Sequence, residues 1–228
     1  MVIEAERYDQ QIGRGGKSWN LTTATPGYVG TGAMISSPNT GVQVDTNYTT
    51  TVAEMRYRIR FNTPGTYHVW LRAHADHAQD NAVHVGLNGQ ALTTSDRMTL
   101  NKFGSWQWTK DTMDGSQVAT INIPSAGVYT LNIWMREDGM RLDRLLLTTN
   151  ASFIPSGTGP AQSLFATSVQ PLSEPLMFSF GGETATASNQ QKRPQPALLF
   201  ESYAIKSIEA AAWSRHRSLF PALVGAKS

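Results

Sequence analysis

The chain has 228 residues, with 19 Lys and Arg against 17 Asp and Glu and no cysteine. Charge is sparse and evenly mixed, with 13 basic and 13 acidic residues in positions 1–150 and 6 and 4 beyond them, so no basic stripe argues for nucleic acid. The missing cysteine removes disulfide frameworks, thiolate zinc sites and cysteine nucleophiles together, no stretch approaches the roughly 20 apolar residues of a membrane span, and no basic segment followed by an apolar one reads as a leader.

The first element is "VIEAERYD", an apolar strand that carries Glu4 and Glu6 two residues apart. Residues two apart share a face of a strand, so the two carboxylates repel unless something positive lies between them. "RGGKS" at 14–18 has the look of a phosphate loop, but Gln11 stands where that pattern needs glycine, and neither a buried parallel strand nor a helix flanks it. A flexible loop is the expectation.

Next, "AEMRYRIRFN" alternates Met55, Tyr57, Ile59 and Phe61 against Arg56, Arg58 and Arg60, the pattern of a half-buried strand. After "NTPG", "TYHVWLRAHA" sets Tyr67, Val69 and Leu71 against His68, Trp70 and Arg72. "NAVHVGLNG" offers Val83, Val85 and Leu87 and ends in an Asn88-Gly89 turn. With "SQVATINIP", "GVYTLNIWMRED" and "MRLDRLLLTT", the chain has about eight or nine strands, enough for an all-β jelly-roll sandwich of two antiparallel sheets. The sandwich is expected over residues 1–155. Residues 156–228 form an extension: the first part, rich in Ser, Pro, Gly, Thr and Gln, reads as linker, and "PALLFESYAIKSIEAAAWSRH" reads as a helix.

Three polar stretches carry the candidate chemistry. "RAHADHAQDN" crowds His74, Asp76, His77, Asp80 and Asn81 into one loop, suited to ligand contact or to a second cation. "FGSWQWTKD" places Trp106 and Trp108 on one face of an extended segment; an indole on a loop offers the π-surface on which a sugar ring stacks. "WMREDGMRLD" holds Arg136, Glu137, Asp138 and Arg141 around Gly139, but two neighbouring carboxylates on a turn diverge and do not flank one bond. By alternation Trp70, Arg72, His84, Trp134 and Arg136 point away from the aliphatic face, and the expectation is that they pack under a loop, the tail or the helix near residue 210.

Taken together, "IEAERYD", "GYVGTGAM", "GTYHVWLRAHA", the loop tryptophan, "AGVYTLNIWM" and "GMRLDRLLLT" resemble, in their order over residues 2–150, the β-sandwich carbohydrate-binding modules of families 6 and 35, with a galactose-binding-like fold. The resemblance implies a structural calcium ion held by Glu4, Glu6 and Asp143, which would answer the repulsion in the first strand. It also implies a loop-built sugar site at Tyr48 and Trp106, with Trp108 as the rival ring. His77, Asp80, Asn81, Glu137, Asp138 and Arg141 complete the expected ligand contacts. Arg141 stands where such modules often carry Asn; it would pair with an acidic substituent or serve the fold.

The function expected from this reading is non-catalytic binding of a polysaccharide or oligosaccharide, targeting a linked carbohydrate-active enzyme. The module is expected to be a bacterial, secreted monomer at the cell surface or outside the cell, with any export signal outside this sequence, and to bind neither nucleic acid nor membrane. One rival is a lyase or glycosidase that uses His74 or His77 with Glu137 or Asp138. Another is a protein-interaction module.

Overall fold

The computed structural model describes residues 1–115 and 117–164. In chain order the strands are β1 (Val2–Glu4), β2 (Gln10–Ile12), β3 (Ser18–Thr22), β4 (Ala33–Ser37), β5 (Glu54–Phe61), β6 (Gly65–His74), β7 (Ala82–Leu87), β8 (Gln90–Ala91), β9 (Met98–Thr99), β10 (Gln107–Thr109), β11 (Thr120–Ile123), β12 (Gly127–Met135) and β13 (Arg141–Thr148). A one-turn helix, α1 (Tyr48–Thr51), precedes β5. The helix expected near residue 210, and most of the expected extension, lie outside the described residues.

Two antiparallel sheets make the sandwich. One runs β10-β6-β13-β4-β3, with β1 beside β13 and β11 beside β6; the other runs β2-β5-β12-β7-β8, with β9 beside β7. The expected alternation sets the inner faces: Met55, Tyr57, Ile59 and Phe61 of β5, and Val69, Leu71 and Ala73 of β6, enter one buried cluster with Val83, Val85, Leu131 and Ile133. Burying these side chains, at roughly 1.5–3 kcal/mol each for the larger ones, drives the sheets together.

In β13 the pairing with β6 shifts register between Leu142 and Arg144, leaving Asp143 as the extra residue of a β-bulge. The bulge resets the alternation, so that Leu142, Leu145 and Leu147 all enter the core while Asp143 is re-aimed beside Arg72.

Both outer faces are partly roofed. On the first sheet, Val2, Trp70 and Leu146 form a small buried cluster with Trp108 and Phe153. Residues 157–163, expected to be linker, lie against this sheet: Arg72 Nε and Trp108 Nε1 donate to Gly157 O, Arg144 Nη1 donates to Thr158 O and Pro160 O, and Ser163 N donates to Val2 O. On the second sheet, the segment before β5 folds back so that Tyr48 covers His84 and Trp134. The outward aromatic residues therefore pack under loop and tail, as expected. "RGGKS" is not a flexible loop: Arg14 and Lys17 exchange both backbone bonds across a Gly-Gly hairpin turn.

Candidate functional site

The first and last strands pair, but each of their carboxylates takes its own partner. β1 pairs with β13 so that Glu4 lies opposite Arg144, and Arg144 Nη2 reaches Glu4 Oε1 at 2.8 Å. Asp143, fully buried, accepts from Arg72 Nη1 at 2.5 Å and from Val29 N at 2.8 Å. Glu6 accepts from Thr31 N and Thr31 Oγ1. The 27–31 loop comes close enough that a Cβ on Gly30, whose φ is +75°, would lie 2.3 Å from Glu6 Oε1, so only glycine fits there. Burial pushes the Glu4 carboxyl up and Arg144 opposes it, with the charges of Glu6 and Asp143 adding to the rise. Burial likewise raises Asp143 against the bonds from Val29 and Arg72.

The positive partner demanded by Glu4 and Glu6 is thus supplied in part by arginine. For a cation, the donor set is partly open: Glu4 Oε2 and Glu6 Oε2 are buried with no hydrogen-bond partner, whereas Asp143 is committed to Arg72 and Val29. No group of three His, Asp or Glu side chains among the described residues stands ready to hold a metal. Glu4 and Glu6 fit a calcium ion if main-chain oxygens complete the six to eight ligands it takes; Asp143 joins them only if Arg72 releases it.

Next to this clasp lies a loop-built rim. Trp106, half-buried, donates Nε1 to Pro26 O at 2.9 Å and rests on Gly27, where a Cβ would lie 2.8 Å from the indole. The Arg72 guanidinium lies 5.4 Å from its ring centroid and the His74 ring meets it edge-on at 5.5 Å. From β13, Arg141 sends Nη1 and Nη2 to Asp76 Oδ2, each at 3.0 Å, and His74 Nδ1 lies 3.6 Å from Asp76 Oδ1. Burial lowers His74 below the ordinary histidine range, and Arg141 adds to the effect. His77 is exposed and lies 3.4 Å from Asp80 Oδ1.

Under that rim, Asp80 is 1% exposed and no well-formed hydrogen bond reaches either carboxylate oxygen. Burial raises its carboxyl, opposed by the adjacent Asn39 amide and by His77. Asn81 is also buried; its amide donates to Leu100 O and its backbone N–H to Glu137 Oε2. Trp106, Asp76, His77 and Arg141 thus form a partly exposed cluster, and Asp80 and Asn81, expected as ligand contacts, are buried next to it.

Six expected ligand contacts are corrected: Asp80 and Asn81 are buried away from solvent, and four others find their partners within the fold. Tyr48 is 6% exposed and stacked on His84, because its loop folds onto the second sheet. Trp108 belongs to the small outer cluster and lies against Gly159 of the tail segment. Glu137 is buried, paired with Arg136 and with the Asn81 backbone. Asp138 is fully buried and accepts from Lys17 Nζ, Thr40 N, Thr40 Oγ1, Gly41 N and Val42 N. Burial works to raise the Asp138 carboxyl, but the bonds from Lys17 and Thr40 hold it below its ordinary value. Sequence reading missed Lys17 as that partner, and also Arg72 beneath Trp106. The available signal for Arg72 was its place in the outward register of β6.

A family model described as Glycosyl hydrolase family 115 C-terminal domain matches residues 1–162. An uncharacterized protein of Formosa agariphila is 37% identical over 139 residues, covering 56% of this chain and 34% of that protein. The chain thus spans about a third of the length of that curated relative. Similar solved structures include a family 35 carbohydrate-binding module from Paenibacillus barcinonensis (18% identity, 66% of this chain and 99% of that one, TM-score 0.47). A β-(1,4)-mannanase carrying a family 35 module, from Podospora anserina, gives 17% identity over 68% of this chain and 28% of that one, TM-score 0.47. The C-terminal family 6 module of a laminarinase from Zobellia galactanivorans gives 17% identity over 65% of this chain and 98% of that one, TM-score 0.39.

Proposed function

Because the chain belongs to the Glycosyl hydrolase family 115 C-terminal domain family, we propose that it is a non-catalytic module that binds a polysaccharide or oligosaccharide and holds a linked glycoside hydrolase at its substrate. The observation that carries this reading is the Trp106 indole, only half-buried at a rim where Asp76 and His77 offer acceptor and donor groups for sugar hydroxyls. Such a rim buries little area, so its affinity is modest, and the benefit to the enzyme is effective concentration.

A hydrolytic role for Glu137 or Asp138 finds no support in their surroundings, since both are buried and already bonded. Calcium at Glu4 and Glu6 is part of the proposal as a structural ion, supported by their two open oxygens. So are the placement outside the cell and the monomeric state. No helix among the described residues is long and apolar enough to cross a membrane.

Affinity electrophoresis against a panel of soluble polysaccharides tests the reading. At least one polysaccharide retards the protein, and Trp106→Ala loses roughly tenfold or more in affinity, the scale of a stacked ring. Retardation unchanged in Trp106→Ala would remove the site from this rim.

A further inference from the structure

At the rim an internal carboxylate occupies the place that an acidic sugar would need. Arg141 presents both Nη atoms to Asp76 Oδ2 at 3.0 Å. The other oxygen, Asp76 Oδ1, faces His74 Nδ1 at 3.6 Å, and His74 in turn touches the Trp106 edge. Arg141 is 16% exposed in its side chain, while Asp76 is 49% exposed. The fork is thus the more buried partner and the Asp76 carboxylate the more exposed.

The neighbouring charges point the same way. Arg72 is engaged with Asp143 and with Gly27 O, Arg136 with Glu137 and Asp45, and Lys17 with Asp138. Below His77, the Asp80 carboxylate is buried, 3.4 Å from the His77 ring and with no arginine or lysine paired to it among the described residues. A buried negative charge is screened far less than an exposed one.

Resting on the glycan-binding reading, we infer that Asp76 is a specificity-determining residue: by occupying both Nη atoms of Arg141 it confines the site to sugars without an acidic group. A neutral sugar stacks on Trp106 and donates hydroxyl hydrogens to Asp76. A uronate must displace Asp76 from Arg141 and face two acidic side chains. Removing Asp76 frees the planar fork for a carboxylate, which it binds through charge-assisted bonds.

The test titrates a neutral hexose oligosaccharide that the protein binds, and the same oligosaccharide with its terminal C6 oxidised to a carboxylate, against the wild type and Asp76→Ala. The wild type is expected to prefer the neutral sugar by about tenfold. Asp76→Ala shifts the ratio towards the acidic sugar by about tenfold or more, and adding Arg141→Met abolishes that shift. Asp76→Asn, which keeps the size and an acceptor, gives the same direction if Asp76→Ala folds poorly. A wild type that prefers the acidic sugar, or a ratio that Asp76 variants leave unmoved, overturns the inference while glycan binding stands. Binding of no polysaccharide or oligosaccharide at all overturns the glycan reading, and the inference with it.

Discussion

His84 lies flat on Tyr48, with ring centroids 3.6 Å apart and planes within 2° of parallel. Its Nδ1 accepts from Arg97 N and its Nε2–H points to Val44 O, so the ring is neutral and both nitrogens are used. Burial pulls its pKa down to about 4, against the bond to Val44, with Arg136 adding to the fall.

An acid-sensitive stability follows from that ring. The folded state holds His84 neutral down to about pH 4, whereas the unfolded chain takes up a proton near pH 6.5. Between these values the unfolded state binds more protons, so stability present above pH 6.5 declines as pH falls towards 4, by about 3 kcal/mol in all from this group. Urea midpoints measured from pH 7.5 to 4 should show the decline, and His84→Gln should flatten it. A slope unchanged in that variant would assign the acid sensitivity elsewhere.

The clasp between the first and last strands gives a second prediction. Arg72→Met leaves Asp143, fully buried, without its cation and should cost about 3–5 kcal/mol. Calcium, proposed at the open oxygens of Glu4 and Glu6, should raise the melting temperature, and chelator should reverse the rise. In Arg72→Met the gain from calcium should be larger, because Asp143 is then free to join the ligands. A wild type indifferent to calcium in the melt would leave arginine as the only counter-charge at this place.

Asp138 should behave as a structural residue. It gathers Lys17 with the backbone of Thr40, Gly41 and Val42. Asp138→Ala strands a buried ammonium and three backbone donors and should cost about 3–5 kcal/mol. Scanning calorimetry reads the loss. A variant that keeps its melting temperature but loses glycan retention would instead return Asp138 to the binding site.

The two tryptophans of "SWQW" should separate in their effects. Trp108 packs with Trp70, Leu146 and Phe153 and donates to Gly157 O, so Trp108→Ala should destabilise by about 3 kcal/mol and leave affinity for any bound glycan within about twofold. Trp106→Ala should do the reverse, with a small stability change and a large loss of affinity. Equal loss of affinity in both variants would contradict this division.

How much was legible in the sequence can be seen strand by strand. The inward sets Met55-Tyr57-Ile59-Phe61 and Val69-Leu71-Ala73 follow from a period of two, which depends only on each strand's own geometry. The pairing of the first strand with the last, which sets Glu4 opposite Arg144, follows the resemblance carried by those strands, but the arginines that take Glu4 and Asp143 were not foreseen. The phase of β13 was not: "RLDRLLLT" read as an unbroken strand puts Leu142, Arg144 and Leu146 on one face, and the bulge at Asp143 exists only by its pairing with β6.

Roofing was equally beyond local reading. An outward Tyr48 or Trp108 has the same pattern whether its face is bare or covered, and the cover comes from chain remote from that face, the loop before β5 in one case and residues 157–159 in the other. The same holds for Glu137 and Asp138, which take hydrogen bonds from the Asn81 backbone and from Lys17, 56 and 121 residues away. Side-chain alternation is a property of the strand alone and is written in the residues. Which outward groups stay open to a ligand depends on contacts made across the fold, and that left Trp106, Asp76, His77 and Arg141 at the rim.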